Sequence, residues 1–187
     1  FTPDIIVAHP GWGEALFAKD IFPNSALLNY FEFYYRATGA DVGFNPEDEV
    51  TIDDQCRIRM KNVTNFLGLE AADAGMSPTL WQFQQNPVEF QYKISVIHDG
   101  VDTKACYPNP DASLPLNDGT VLTRKDEVIT YVARNLEPYR GFPQFMRAVE
   151  MIQKERPQAH VVIVGADGVS YGRSPQGGGT WKEKCLK

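Results

Sequence analysis

Residues Glu127–Val164 read EVITYVARNLEPYRGFPQFMRAVEMIQKERPQAHVVIV. The spacing predicts a strand over Glu127–Val132, a helix over Gly141–Arg156 and a second strand over His160–Val164. A strand, a helix and a strand within about 40 residues is the signature of a βαβ crossover, which demands parallel strands. This stretch decides the fold class, and the rest of the chain is read outward from it.

Upstream, the alternation repeats. Ile5–Ala8 is a continuous apolar run, as in a strand buried on both faces. His9-Pro10-Gly11-Trp12-Gly13 breaks it. Glu14–Phe22 reads as a short helix ended by Pro23, and Ala26–Phe33 as a second strand. Gly39–Glu49 is loop-like, and Asp53–Ala72 is a long amphipathic helix capped by Asp53 or Asp54. Ala74–Ser77 reads as a short strand, with Ser77 capping a helix that has Pro78 in its first position. Ile94–Ile97 is the next strand. Residues 98–118, rich in Pro, Asn and Asp, read as a crossover between two lobes. The expected architecture is α/β, with two partial Rossmann-type lobes of mostly parallel sheet.

Composition narrows the function. The chain has 187 residues, 43% hydrophobic and 22% charged, with 11 Phe, 8 Tyr and 3 Trp. That many aromatic residues need a packed core. The net charge is −6, and no cluster of Lys and Arg marks a nucleic-acid face. No apolar run reaches the ~18 residues of a membrane span. Cys56, Cys106 and Cys185 are odd in number and form no CxxC, which favours a reducing, cytoplasmic setting over a disulfide scaffold. The sequon Asn62-Val63-Thr64 falls inside the long helix and reads as a chance match. The chain opens directly on a strand and stops at a glycine run entering a new element, as expected of a fragment of a longer protein.

Three strings carry candidate chemistry. In VARNLEPYRGF (Val132–Phe142), Arg134 sits at a strand end and Arg140 beside the helix opening at Gly141. Ligands of open α/β sheets bind beyond the carboxyl ends of strands. Two guanidinium forks and helix amides there suit phosphate oxygens. His98-Asp99-Gly100-Val101-Asp102 follows a strand and marks a tight turn. Gly165-Ala166-Asp167-Gly168 follows another, and its glycines allow a ligand or a backbone to approach closely. Gly11-Trp12-Gly13 has the first half of a dinucleotide fingerprint, but Leu16 stands where the third glycine belongs. P-loop, HExxH and GxSxG templates find no match, and the three histidines are scattered.

Taken in order, ISVIHDGVD, VARNLEPYRGF and HVVIVGADG resemble the middle of a family-four (group 1) glycosyltransferase of the GT-B type. His98-Asp99 replaces the usual Pro-Asn pair, and Arg140 stands where Lys is common. The family's early glycine-rich loop and its late pair of glutamates have no counterpart in the 187 residues, so the fragment by itself is expected to lack part of the donor site. The resemblance implies that residues 1–103 are the back half of an acceptor-side lobe and residues 104–187 the first part of a nucleotide-sugar donor lobe. It implies a retaining transfer of a sugar from a nucleoside diphosphate to a carbohydrate or lipid-linked acceptor. Arg134, Arg140, Gly141 and Gly165 would hold the donor diphosphate, with no metal and no covalent protein nucleophile. His9, Gly11, Trp12, Gly13 and Glu32 would line the acceptor side, the indole stacking on a sugar face and His9 bonding a hydroxyl. Tyr34-Tyr35-Arg36 would follow Glu32 there. Two alternatives stand beside this reading: a non-catalytic nucleotide- or sugar-binding module, and a nucleotide-sugar epimerase of the same fold. A lobe lacking its early strands would expose a sheet edge, so self-association is expected.

Overall fold

The computed structural model of the chain describes residues 1–40, 42–46 and 49–186. It divides into two compact units, Phe1–Thr103 and Lys104–Lys187. Both are α/β: the first holds an all-parallel four-stranded sheet, and the second one antiparallel pair beside one parallel pair, the pattern of a partial Rossmann-like fold.

The first unit runs β1 (Ile5–Ala8), α1 (Ala18–Ile21), β2 (Ala26–Tyr30), α2 (Ile52–Ala71), β3 (Ala74–Ser77), α3 (Leu80–Gln85) and β4 (Ile94–Val96). Its four strands lie in the order β1-β2-β3-β4, all parallel, with Ile5 opposite Ala26, Leu28 opposite Ala74 and Gly75 opposite Ile94. The core gathers Phe31, Leu69, Ala72 and Ile94, ringed by Tyr34, Phe83 and Phe90. Gly75 is a packing requirement: a Cβ there would lie 2.6 Å from the Phe31 ring.

Several expectations are corrected here. The apolar run Ile5–Ala8 is a strand, but not one buried on both faces. It is at the edge of the sheet, with Ile5 57% and Val7 63% exposed. The helix expected over Glu14–Phe22 shrinks to the single turn α1, because Gly13 at φ 91° ends a preceding 3-10 turn (Pro10–Trp12). The room left before Pro23 barely nucleates a helix. Helix α2 is capped by Thr51, not by Asp53 or Asp54: Thr51 Oγ1 accepts the Asp54 N–H, and the Asp54 side chain accepts the Thr51 N–H in return. Thr79, not Ser77, caps α3. Ser77 stays in the strand because a residue before proline is held extended, and its buried hydroxyl donates to Phe31 O at 2.9 Å. The loop expected over Gly39–Glu49 has no regular element among its described residues, and Asp41, Glu47 and Asp48 lie outside them.

The second unit opens with a hairpin absent from the sequence reading. Strand β5 (Ser113–Pro115) pairs antiparallel with β6 (Val121–Thr123) around Gly119 at φ 89°. Then β7 (Val128–Asn135), α4 (Phe142–Glu155) and β8 (His160–Ala166) form the expected crossover, with Val128 opposite His160 and Val132 opposite Val164. Strand β7 extends three residues past Val132, and β8 two past Val164. Helix α4 packs through Phe142 and Phe145 onto Tyr131, at ring distances of 5.5 and 4.8 Å. The unit closes on α5 (Trp181–Cys185).

Candidate functional site

In the first unit, side chains collect beyond the carboxyl ends of the parallel strands, where α/β sheets hold ligands. His9 follows β1 directly. Its Nδ1 accepts the Gly11 N–H at 3.2 Å, and its Nε2 meets Glu32 Oε2 at 3.2 Å. Because Nδ1 is an acceptor, the neutral ring carries its proton on Nε2 and donates it to Glu32. The imidazole also stacks on Trp12, with centroids 4.6 Å apart and planes inclined by 23°, and lies 5.9 Å from the Tyr30 ring. Trp12 is 76% exposed, so the indole offers its outer side to solvent.

Tyr30 donates its hydroxyl to Asp99 Oδ1 at 2.8 Å. Burial first, then the Asp99 hydrogen bond and the negative charges of Asp99 and Glu32, push its pKa up to about 12. Tyr30 is therefore a protonated donor across the physiological range. Tyr30 does not stand out in sequence as a site residue, and Asp99 does so only as part of the turn string His98-Asp99-Gly100-Val101-Asp102.

The sequence places the glycines for steric reasons. A Cβ on Gly11 would lie 2.8 Å from His9 Cε1, so only glycine lets the imidazole fold back over its own chain. Gly13 takes the left-handed conformation that ends the Pro10–Trp12 turn.

Helix α2 straps down both loops of this cluster. Thr64 Oγ1 donates to Gly11 O at 3.2 Å, and Asn65 Nδ2 to Phe33 O at 3.2 Å. Asn62 pairs with the Tyr35 backbone through Oδ1 (2.9 Å) and Nδ2 (2.7 Å). Gly68 admits Pro10, and a Cβ there would lie 2.5 Å from Pro10 Cβ. From α3, Gln82 Nε2 reaches Glu32 O at 2.8 Å. The sequon asparagine is thus engaged with backbone. Sequence reasoning passed over these supports, although Asn62, Asn65 and Gly68 follow the three-residue spacing of one helix face. Tyr34 belongs to the core rather than to the cluster, and burial raises its hydroxyl pKa.

In the second unit, Arg134 is the penultimate residue of β7 and is exposed. A register shift between Val132 and Asn135 falls across it, a strand irregularity of the kind that re-aims side chains near sites. Arg140 closes a 3-10 turn (Pro138–Arg140) and lies over the Tyr171 ring, 5.3 Å from guanidinium carbon to centroid. Its carbonyl accepts the Tyr131 hydroxyl at 2.9 Å. Burial raises the Tyr131 pKa, with the Arg140 charge opposing and the Glu137 charge adding.

Gly141 adopts φ 74° at the start of α4. Its N–H goes to Pro138 O at 2.8 Å and that of Phe142 to Glu137 O at 3.3 Å, while Pro143 has none. The amides expected to face an anion are therefore largely used inside the turn. Gly165 serves a close approach within the protein: a Cβ would lie 2.7 Å from Leu136 and 2.9 Å from Ala133 O. Among the described residues, no three His, Cys, Asp or Glu side chains gather as a metal cage.

A family model described as the glycosyl transferase family 4 group matches residues 1–106, which takes in the whole first unit. No curated protein matches the chain.

Proposed function

The chain belongs to the glycosyl transferase family 4 group, and on that premise we propose that it takes part in moving a sugar from a nucleoside diphosphate to a carbohydrate or lipid-linked acceptor. The observation that carries this reading is the His9–Glu32–Trp12–Tyr30 cluster at the strand ends of the matched unit. It combines a carboxylate acceptor, an oriented imidazole and an open indole face, the set that grips a sugar's hydroxyls and its C–H face. The acceptor hydroxyl donates to Glu32, whose position His9 fixes. Trp12 stacks against the ring.

In this reading the second unit holds the donor. Arg134 and Arg140 neutralise the charge that builds on the departing diphosphate, so the transition state is stabilised electrostatically. The arginines supply the positive charge, and no metal is required. Transfer with retention, without a covalent protein nucleophile, and assembly of the whole protein as a GT-B enzyme complete the proposal. So does a cytoplasmic setting: Cys56, Cys106 and Cys185 are all free thiols, which suits a reducing compartment. No helix among the described residues is long and apolar enough to cross a membrane.

The test is calorimetry of UDP, GDP and ADP with the full natural chain, beside Arg140→Ala. One diphosphate binds, and the variant weakens it by about 1.5–3 kcal/mol. A folded protein that binds none of the three sinks the donor reading.

A further inference from the structure

Glu137 is the only fully buried charged side chain among the described residues, at 0% exposure. A carboxylate taken out of water must be compensated by hydrogen bonds or a partner charge. Its Oε2 accepts three consecutive backbone N–H groups, from Ser170 (3.1 Å), Tyr171 (3.2 Å) and Gly172 (3.1 Å). Successive amides converging in this way form a nest, the concavity that elsewhere captures free anions. Here the chain's own carboxylate fills it. The second oxygen, Oε1, is buried without a hydrogen-bond partner. A half-satisfied buried charge is a poor source of stability compared with an apolar side chain of the same volume. The arrangement is better explained by what it holds in place.

What it holds is Arg140, from two sides. The Glu137 carbonyl accepts the N–H groups of Arg140 (3.0 Å) and Phe142 (3.3 Å), which closes the turn that presents the guanidinium. The Glu137 carboxylate pins residues 170–172, and the ring of Tyr171 lies against that guanidinium at 5.3 Å. Gly172 permits the approach: a Cβ there would crowd Glu137 Oε2 and Tyr139 Cδ2, both at 3.3 Å.

We propose that Glu137 is the positioning residue of Arg140, fixing through the loop of Ser170–Gly172 the aromatic surface that holds the guanidinium ready for an anionic ligand. The ligand's identity as a donor diphosphate rests on the function proposed above. The placement of Arg140 does not.

The experiment has two arms on the natural chain. In the first, the Arg140 Nε–H resonance is followed by NMR, and Tyr171→Leu establishes its position without the ring. Glu137→Asp keeps the charge but is a methylene too short to reach three amides, so the resonance moves to the Tyr171→Leu position. Glu137→Gln keeps an acceptor oxygen at full reach, so the resonance stays near its native position. If Glu137→Asp does not fold, Gly172→Ala displaces one amide and produces a partial movement. An Arg140 resonance that is unmoved in folded Glu137→Asp, or in Gly172→Ala, overturns the proposal.

In the second arm, UDP, GDP and ADP are titrated. Glu137→Asp weakens the diphosphate that binds by about tenfold, and has no further effect when added to Arg140→Ala. Additive losses mean that Glu137 acts through something other than Arg140, and also overturn the proposal. Movement of the resonance in a protein that binds no diphosphate leaves Glu137 as the positioning residue and removes the donor reading instead.

Discussion

His9 and Glu32 are joined from Nε2 to Oε2, and because Nδ1 already accepts the Gly11 N–H, the proton in that bond belongs to His9. The imidazole is therefore an orienting donor, and Glu32 is the group that can accept from a ligand.

On the proposed function, removing that hydrogen-bond acceptor separates acceptor binding from donor binding. Glu32→Ala raises the acceptor KM by roughly tenfold to a hundredfold, the worth of a charge-assisted hydrogen bond, and leaves diphosphate affinity unchanged. Initial rates and calorimetry on the same preparation check this. An unchanged acceptor KM removes Glu32 from the site.

Gly68→Ala tests the seating of the His9 loop on α2. The added methyl would sit 2.5 Å from Pro10 Cβ and 3.2 Å from Asn29 Nδ2, so the turn carrying His9 and Trp12 must move. The expected cost is about 1–3 kcal/mol, the usual range for overpacking, read from urea unfolding of the first unit. Acceptor binding falls with it.

Tyr30 gives a pH signature. Its folded pKa, about 12, lies above the ordinary 10.0, so its contribution to stability is complete below pH 10 and is lost as pH rises through 12. Difference absorbance against Tyr30→Phe isolates the late phenolate. Asp99→Asn removes the charge but keeps an acceptor oxygen and the burial, so the midpoint drops without returning to 10.0. A tyrosine titrating at its ordinary value would contradict the Tyr30–Asp99 bond.

Strand β1 predicts self-association. Among the described residues it pairs only with β2, and Ile5 and Val7 project from it into solvent. An apolar edge strand templates pairing with another chain. The mass of this 187-residue chain in sedimentation rises with concentration, and Val7→Lys suppresses the rise. A concentration-independent monomer mass counts against it.

Much of this was legible in sequence where the information is local. The strand Ala74–Ser77 and the crossover from β7 through α4 to β8 follow from apolar runs and turn residues within a short window. The burial of Ile5–Ala8 was misread because an apolar run does not say whether a strand lies inside a sheet or at its rim. The β5–β6 hairpin hid in a proline-rich stretch that resembles a linker. His9, Trp12 and Glu32 stand out in sequence because they follow strands, and the fold brings their side chains into contact through His9. Tyr30 and Asp99 were not joined, since 69 residues separate them and neither position is unusual alone. Glu137 was invisible for the same reason: its three amides lie 33 to 35 residues downstream, in a loop with no motif.

Helix α2 touches both sides of the candidate acceptor site through one face, by Thr64 and Gly68 on the His9 side and by Asn62 and Asn65 on the Glu32 side. The two jaws are thus clamped to a single rigid rod and share its position. Pushing either loop aside would break its contacts to the same helix that anchors the other. Selectivity at this site is then a matter of which side chains the loops carry, and retuning it calls for exchanging those side chains rather than loosening the frame.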